Sequence, residues 1–340
     1  MSMADKTINW GLIGASNIAK SYVVDAIRNE PNAAVAAVYS RSASHGQRFA
    51  DELQIPNVYS DLNELLSSPN IDAVYISSTN ELHCAQAIAA AKAVKHILCE
   101  KPLALNTKDA VAMVEAAKSA NVIMATNHHL RNAALHQTLA QLVQSGELGE
   151  IHSVRVNHGV FLPEFLQTWR VKDDLGGGVI LDISVHDADT LRFILGQDPI
   201  AVSGMVNQNP LETNVMSVWQ FADGLLAQVH EGFTTEHAQT SLELHGTKAS
   251  AIATHCLTQN SVGDIAIQRR NDQGQVICTP VEIQHHNLYF HGLEKFHNAI
   301  ATKGLPAATG EDGVKSLTIA LALKQAVQEQ RTVTIDYPLA

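Results

Sequence analysis

Between residues 7 and 126 short apolar runs alternate with amphipathic stretches, and few folds accept that order. Segments 8–13, 33–39, 72–77, 96–99 and 122–126 have the length and apolar content of buried strands. Segments 18–28, 44–53 and 81–93 carry helical spacing, and Asn106 is placed to cap a helix running to residue 120. Asp61-Leu-Asn-Glu64 has capping-box spacing and opens one more short helix. Such a series predicts a parallel sheet with helices on both faces and right-handed crossovers.

The order changes after residue 127. Helices are expected over 130–144, 179–195, 288–302 and 313–329, and strands over 151–160 and 332–335. Residues 161–178 read as irregular. From 200 to 277 the chain alternates every few residues, with turns at Asn209-Pro210, Asp223-Gly224 and Asn271-Asp272, as in an antiparallel sheet. The expected fold is therefore α/β, a Rossmann doubly wound parallel sheet. An α+β domain with a large, open, mostly antiparallel sheet follows it. The domains are expected at 1–127 and 128–340.

With 340 residues, 46% hydrophobic and 17% charged, the chain can bury two cores. A net charge of −11 argues against non-specific nucleic-acid binding, which needs a basic face. Residues 1–7 lack the apolar core of a signal peptide, and no stretch approaches the length of a membrane span, so a cytoplasmic location is expected, with neither membrane nor nucleic acid as partner. Cys84, Cys99, Cys256 and Cys278 have no C-x-x-C spacing; reduced, mostly buried thiols and no zinc site are expected.

The first predicted strand leads through Gly11-Leu-Ile-Gly14-Ala15-Ser16-Asn17-Ile18-Ala19 into a helix. Small residues in such a turn let backbone N–H groups approach a pyrophosphate, and the helix N-terminus adds donors and partial positive charge. Ser16 stands where a second glycine is usual, so the position of the turn in the series carries the reading. The second strand ends in Ser40-Arg41 with no carboxylate for a ribose 2′-hydroxyl. A hydroxyl and a guanidinium suit a 2′-phosphate, which predicts NADPH/NADP; the alternative is a solvated loop arginine.

Three more segments place polar residues where strands end: 77–83, 100–102 and 126–131. Asn80 could simply cap the next helix. Lys101 follows an apolar strand, and Pro102 biases it toward an extended conformation that projects its ammonium. Further on, Gly176-Gly-Gly precedes Asp182, His186 and Asp189 at helical spacing on one face among apolar neighbours. A bound polyol together with Lys101 would give these groups partners, with His186 as proton donor. The alternatives are a structural His–Asp pair and a metal site; too few ligands converge for the latter, and no metal is expected.

Gly14-Ala15-Ser16 with Ile18-Ala19, then Glu100-Lys101-Pro102-Leu103-Ala104, then Gly176-Gly-Gly-Val-Ile-Leu-Asp182 with His186 resemble the Gfo/Idh/MocA oxidoreductases over nearly the whole chain. Segments 79–83, 126–133, 185–193 and 308–313, with Leu166, Gln167, Trp169 and Arg170, resemble a branch that reduces keto sugars. The resemblance implies NADPH contacts from Ala15, Ser16, Asn17, Ile18, Ser40, Arg41, Ser78, Thr79, Asn80, Glu81, Leu82, His83, Glu100, Lys101, Asn127, Trp169, Arg170 and Tyr289. His45 occupies a position where that branch has an arginine near the 2′-phosphate. Lys101, Asp182 and His186 match the family's catalytic lysine, aspartate and histidine. A small-molecule sugar substrate is implied, and the outer face of the C-terminal sheet commonly makes homo-oligomer contacts. The alternatives are another sugar or inositol-type polyol dehydrogenase and a non-catalytic dinucleotide-binding regulator.

Overall fold

The computed structural model describes residues 7–167, 169–172, 176–208 and 211–339. By compactness the chain forms two units, Met1–His128 with Tyr289–Val314, and His129–Leu288 with Lys315–Pro338. The first unit thus takes back a segment that a linear division at residue 127 leaves with the second. The predicted turn at Asn209-Pro210 lies outside the described residues.

In the first unit, β1 (Ile8–Ile13), β2 (Ala33–Tyr39), β3 (Asn57–Tyr59), β4 (Ala73–Ile76), β5 (His96–Cys99) and β6 (Met124–Thr126) form one parallel sheet in the order β3-β2-β1-β4-β5-β6. This is the doubly wound order, with its reversal point beside β1 and β4. Trp10, Leu12, Ile13, Tyr75 and Ile76 are fully buried, as expected for strands covered on both faces. β3 was not expected: three residues are too few to show a period.

The helices are α1 (Val24–Asn29), α2 (Ala43–Leu53), α3 (Leu62–Ser67), α4 (His83–Lys92) and α5 (Thr107–Ser119). Asn106 caps α5 as expected, accepting from the Asp109 amide at 2.9 Å. Asp61 caps α3 through the Asn63 amide at 2.8 Å, one residue short of the capping-box arrangement. A π-helical turn, Ala19–Val23, precedes α1. The returning segment is pinned to β1: Trp10 Nε1 donates to His297 Nε2 at 3.1 Å. Burial holds the His297 pKa down at about 4, so its ring is neutral and can accept.

The second unit holds α6 (Ala134–Gln144), β7 (Ile151–Gly159) and α7 (Val185–Leu195), the last preceded by a π-helical turn at Ile180–Ser184. Then come β8 (Pro199–Gln208), β9 (Glu212–Phe221), β10 (Leu226–Gly232), β11 (Ser241–Gly246), β12 (Ser250–Thr254), β13 (Asp264–Arg270) and β14 (Val276–Val281). After α8 (Leu288–Thr302) and α9 (Gly310–Glu329), β15 (Val333–Thr334) pairs with β8. The sheet order is β14-β13-β12-β11-β7-β10-β9-β8-β15. It is antiparallel except where β7 and β10 run parallel, because the chain between them passes through α7 and the β8–β9 hairpin.

In β9, Trp219 and Phe221 point into the core, while Met216 and Val218 are exposed. α9 starts three residues earlier than expected, because Thr309 and Asp312 form a reciprocal cap. The four cysteines are free thiols; Cys99 and Cys256 are buried, Cys84 is half-buried, and Cys278 is exposed on the edge strand β14. Among the described residues no helix is long and apolar enough to cross a membrane.

Candidate active site

In the first unit the turn after β1 is shaped by Gly14. Gly14 has φ +110°, and its amide donates to the Tyr39 carbonyl at 3.0 Å. A Cβ there would lie 3.0 Å from Ser77 C and O and from Ser78 N, so only glycine fits against the loop that follows β4. The Ser16 hydroxyl donates to Ser77 Oγ at 2.7 Å and accepts from the Ala19 amide at 3.2 Å. Serine in place of the usual glycine thus ties the turn to the neighbouring loop and bonds an early helical amide. Asn17 and Ile18 complete the turn into the π-helical start. The cradle is of the kind a dinucleotide pyrophosphate requires.

Beyond β2, Ser42 caps α2, and the His45 ring, one turn into that helix, donates from Nε2 to the Ala15 carbonyl at 3.0 Å. Ser40 packs closely against Gly46, and Arg41 is exposed. Ser40 and Arg41 therefore adjoin the start of α2, from which His45 reaches Ala15.

The loop after β4 is internally braced. Ser78 Oγ donates to Gln86 Oε1 at 2.6 Å, and Thr79 Oγ1 to Glu81 Oε1 at 2.5 Å. Asn80 is buried and opens a one-turn helix with Glu81 and Leu82; it does not stand at the cap of α4. His83 is fully buried, with Nδ1 3.0 Å from the Pro102 carbonyl and Nε2 3.2 Å from the Ser78 carbonyl. This differs from the expected cofactor contact: both ring nitrogens face backbone oxygens.

β5 ends in Glu100-Lys101-Pro102, with a cis bond between Lys101 and Pro102. Glu100 is buried, and its Oε1 accepts from Tyr75 Oη and from Asn127 Nδ2, each at 2.6 Å. Burial raises the Glu100 pKa, against those two hydrogen bonds and the Lys101 charge. Tyr75 escaped the sequence reading; its signal was a hydroxyl-bearing residue inside an otherwise aliphatic strand. Tyr289 stacks on Tyr22 with centroids 4.8 Å apart.

In the second unit, Gly178 has φ +91°, and a Cβ on it would run into the Glu212 carboxylate. The π-helical turn beyond it carries Asp182, whose Oδ2 accepts from Arg170 Nε at 3.1 Å. Arg170 was expected at the cofactor and here engages the expected catalytic aspartate. The Trp169 side chain lies outside the described residues.

His186 stands on α7, nearly buried, with the His129 ring edge-on at 5.0 Å. The third member of the expected face, Asp189, is buried, and its Oδ2 accepts from Arg131 Nε at 2.7 Å. An arginine therefore partners one carboxylate oxygen of each aspartate. Behind α7, His158 Nδ1 meets Asp187 Oδ1 at 2.8 Å, and burial raises the Asp187 pKa. Among the described residues no three His, Cys, Asp or Glu side chains group as a metal site.

A glycine-only pyrophosphate turn on a doubly wound sheet, with a lysine at the end of β5, defines a dinucleotide-dependent oxidoreductase. The chain belongs to the Gfo/Idh/MocA family: residues 8–128 match its NAD-binding Rossmann domain and residues 136–252 its C-terminal domain. It is 44% identical over 333 residues to 1,5-anhydro-D-fructose reductase of Ensifer adhaerens, covering 96% of this chain and 98% of the relative. It is 29% identical to myo-inositol 2-dehydrogenase of Thermotoga maritima, over 85% of this chain and 87% of the relative. Its fold matches levoglucosan dehydrogenase, solved with NADH and levoglucosan, at a TM-score of 0.88 and 21% identity over 97% of this chain and all of that one.

Proposed function

We propose that the protein reduces a keto sugar with NADPH, converting 1,5-anhydro-D-fructose to 1,5-anhydro-D-mannitol. The observation that carries this is the 44% identity to a 1,5-anhydro-D-fructose reductase over almost the full length of both chains. The turn at Gly14 to Ile18 would hold the pyrophosphate, and Ser40, Arg41 and His45 the 2′-phosphate. The absence of a carboxylate at the end of β2 supports NADPH, since an acidic side chain there would favour a free 2′-hydroxyl. The remaining contacts would come from Ser78 to Leu82, Glu100, Asn127, Trp169 and Tyr289.

The bound nicotinamide supplies the hydride. Lys101 would orient the ring ketone and stabilise the charge developing on its oxygen. Asp182, held by Arg170, would fix a neighbouring hydroxyl, and His186 would protonate the alkoxide. A myo-inositol 2-dehydrogenase among the relatives favours one second reading, a polyol dehydrogenase working oxidatively.

Spectrophotometric assays separate these readings: NADPH or NADH with 1,5-anhydro-D-fructose and other keto sugars, and NADP+ or NAD+ with inositols. NADPH oxidation with anhydrofructose is expected. A protein that binds NADPH and turns over only an inositol would overturn the reductase reading. Self-association through the second sheet belongs to the same proposal, supported by the paired, exposed Met205 and Met216.

A further inference from the structure

His83 is the residue in the first unit whose burial and expected role disagree most. It is 0% exposed, so its ring cannot serve a ligand directly. Its two nitrogens instead face two segments that are 24 residues apart in sequence. Nδ1 lies 3.0 Å from the carbonyl of Pro102, the residue after Lys101, and Nε2 lies 3.2 Å from the carbonyl of Ser78. Pro102 is buried too, and Ser78 lies one residue past Ser77, whose backbone packs on Gly14 and whose hydroxyl receives Ser16.

We infer that His83 is a positioning residue that sets the Lys101–Pro102 turn and the Ser78 loop relative to each other, without touching substrate or cofactor. The inference rests on the reading that the Ser78 loop holds cofactor and that Lys101 acts on substrate. Its physical basis is that neither carbonyl belongs to a strand or helix ladder, so a ring donor substitutes for the partner a ladder would supply. A buried carbonyl left without a donor pulls its loop toward water or toward another donor. A displacement of about 1 Å at a reacting group is enough to cost on the order of 100-fold in rate. Burial lowers the ring's pKa, and the carbonyls of Pro102 and Ser78 act against that fall. The neutral ring carries one N–H, so its two tautomers offer that donor to one carbonyl or the other.

The two nitrogens can be separated by substitution. In His83→Asn the side-chain amide reaches the position of Nδ1 and keeps the donor to Pro102. In His83→Gln the amide reaches the position of Nε2 and keeps the donor to Ser78. The test measures NADPH Kd by fluorescence titration, steady-state kcat for anhydrofructose, and Tm, for both variants and the unmodified protein. His83→Asn should weaken NADPH about tenfold and leave kcat within about threefold, whereas His83→Gln should keep Kd within about threefold and lower kcat at least tenfold. Any other pattern overturns the inference: both variants unchanged, or kcat and affinity falling together in both, as a structural histidine would give. If instead the unmodified protein binds no NADPH, or Lys101→Ala retains full turnover, the underlying functional reading fails, and that outcome is distinct.

Discussion

Replacing Gly14 by alanine tests the cofactor cradle most directly. The backbone there sits at φ +110°, a conformation that costs a residue with a side chain of order 1–3 kcal/mol. The added methyl would also lie 3.0 Å from three backbone atoms of Ser77 and Ser78, which cannot rotate away as a side-chain tip can. The turn and the β4 loop must therefore separate, or the turn must leave its conformation. Either change displaces the amides proposed to meet the pyrophosphate. If about 2–3 kcal/mol of this strain falls on the bound state, NADPH Kd rises by about 30- to 150-fold.

Isothermal titration measures Kd, and a thermal melt without cofactor separates lost binding from lost folding. Gly146→Ala is the control. Gly146 also has positive φ, +70°, yet nothing lies within 4 Å of its Cβ position. That variant should lose about 1 kcal/mol of stability and no affinity. A Gly14→Ala protein that folds and binds NADPH within threefold of the unmodified chain would refute the argument.

Three further outcomes are expected. His136 is fully buried, and burial holds its pKa at about 4 against 6.5 for a free imidazole. Between those values the unfolded chain binds the extra proton, so stability present above pH 6.5 is lost as pH falls toward 4, by up to about 3 kcal/mol. Urea midpoints over that range should flatten in His136→Asn; an unchanged slope would assign the effect to other groups. Arg131→Met leaves the buried Asp189 carboxylate without its nearest cation and should destabilise the protein by about 3 kcal/mol, read from chemical denaturation. Met216→Asp puts a charge beside Met205 on the exposed sheet face, and light scattering should then show a smaller particle than for the unmodified protein.

Much of the fold was readable along the chain because its signals are local. Five strands of the first sheet and the caps of α3 and α5 rest on apolar runs and on side chains within three residues of the helix start. The Gly14 turn and the Glu100-Lys101-Pro102 segment were visible for the same reason. Each is contiguous, and its chemistry depends on residue type at short spacing.

What the sequence left open depends on partners distant along the chain. Nothing near Asp182, Asp187 or Asp189 announces that Arg170, His158 and Arg131 will partner them. The three aspartates look alike as letters, and only packing separates the buried Asp187 and Asp189 from the less buried Asp182. Tyr75 and Asn127 converge on Glu100 because β4, β5 and β6 are neighbours in the sheet. His83 reads as one more polar residue in a cofactor loop until the fold buries it against two carbonyls. The sequence by itself determined that a dinucleotide turn exists and that a lysine follows the fifth strand. Tertiary structure decided which polar side chains remain for chemistry, because a buried polar group must find a donor or acceptor wherever the fold supplies one.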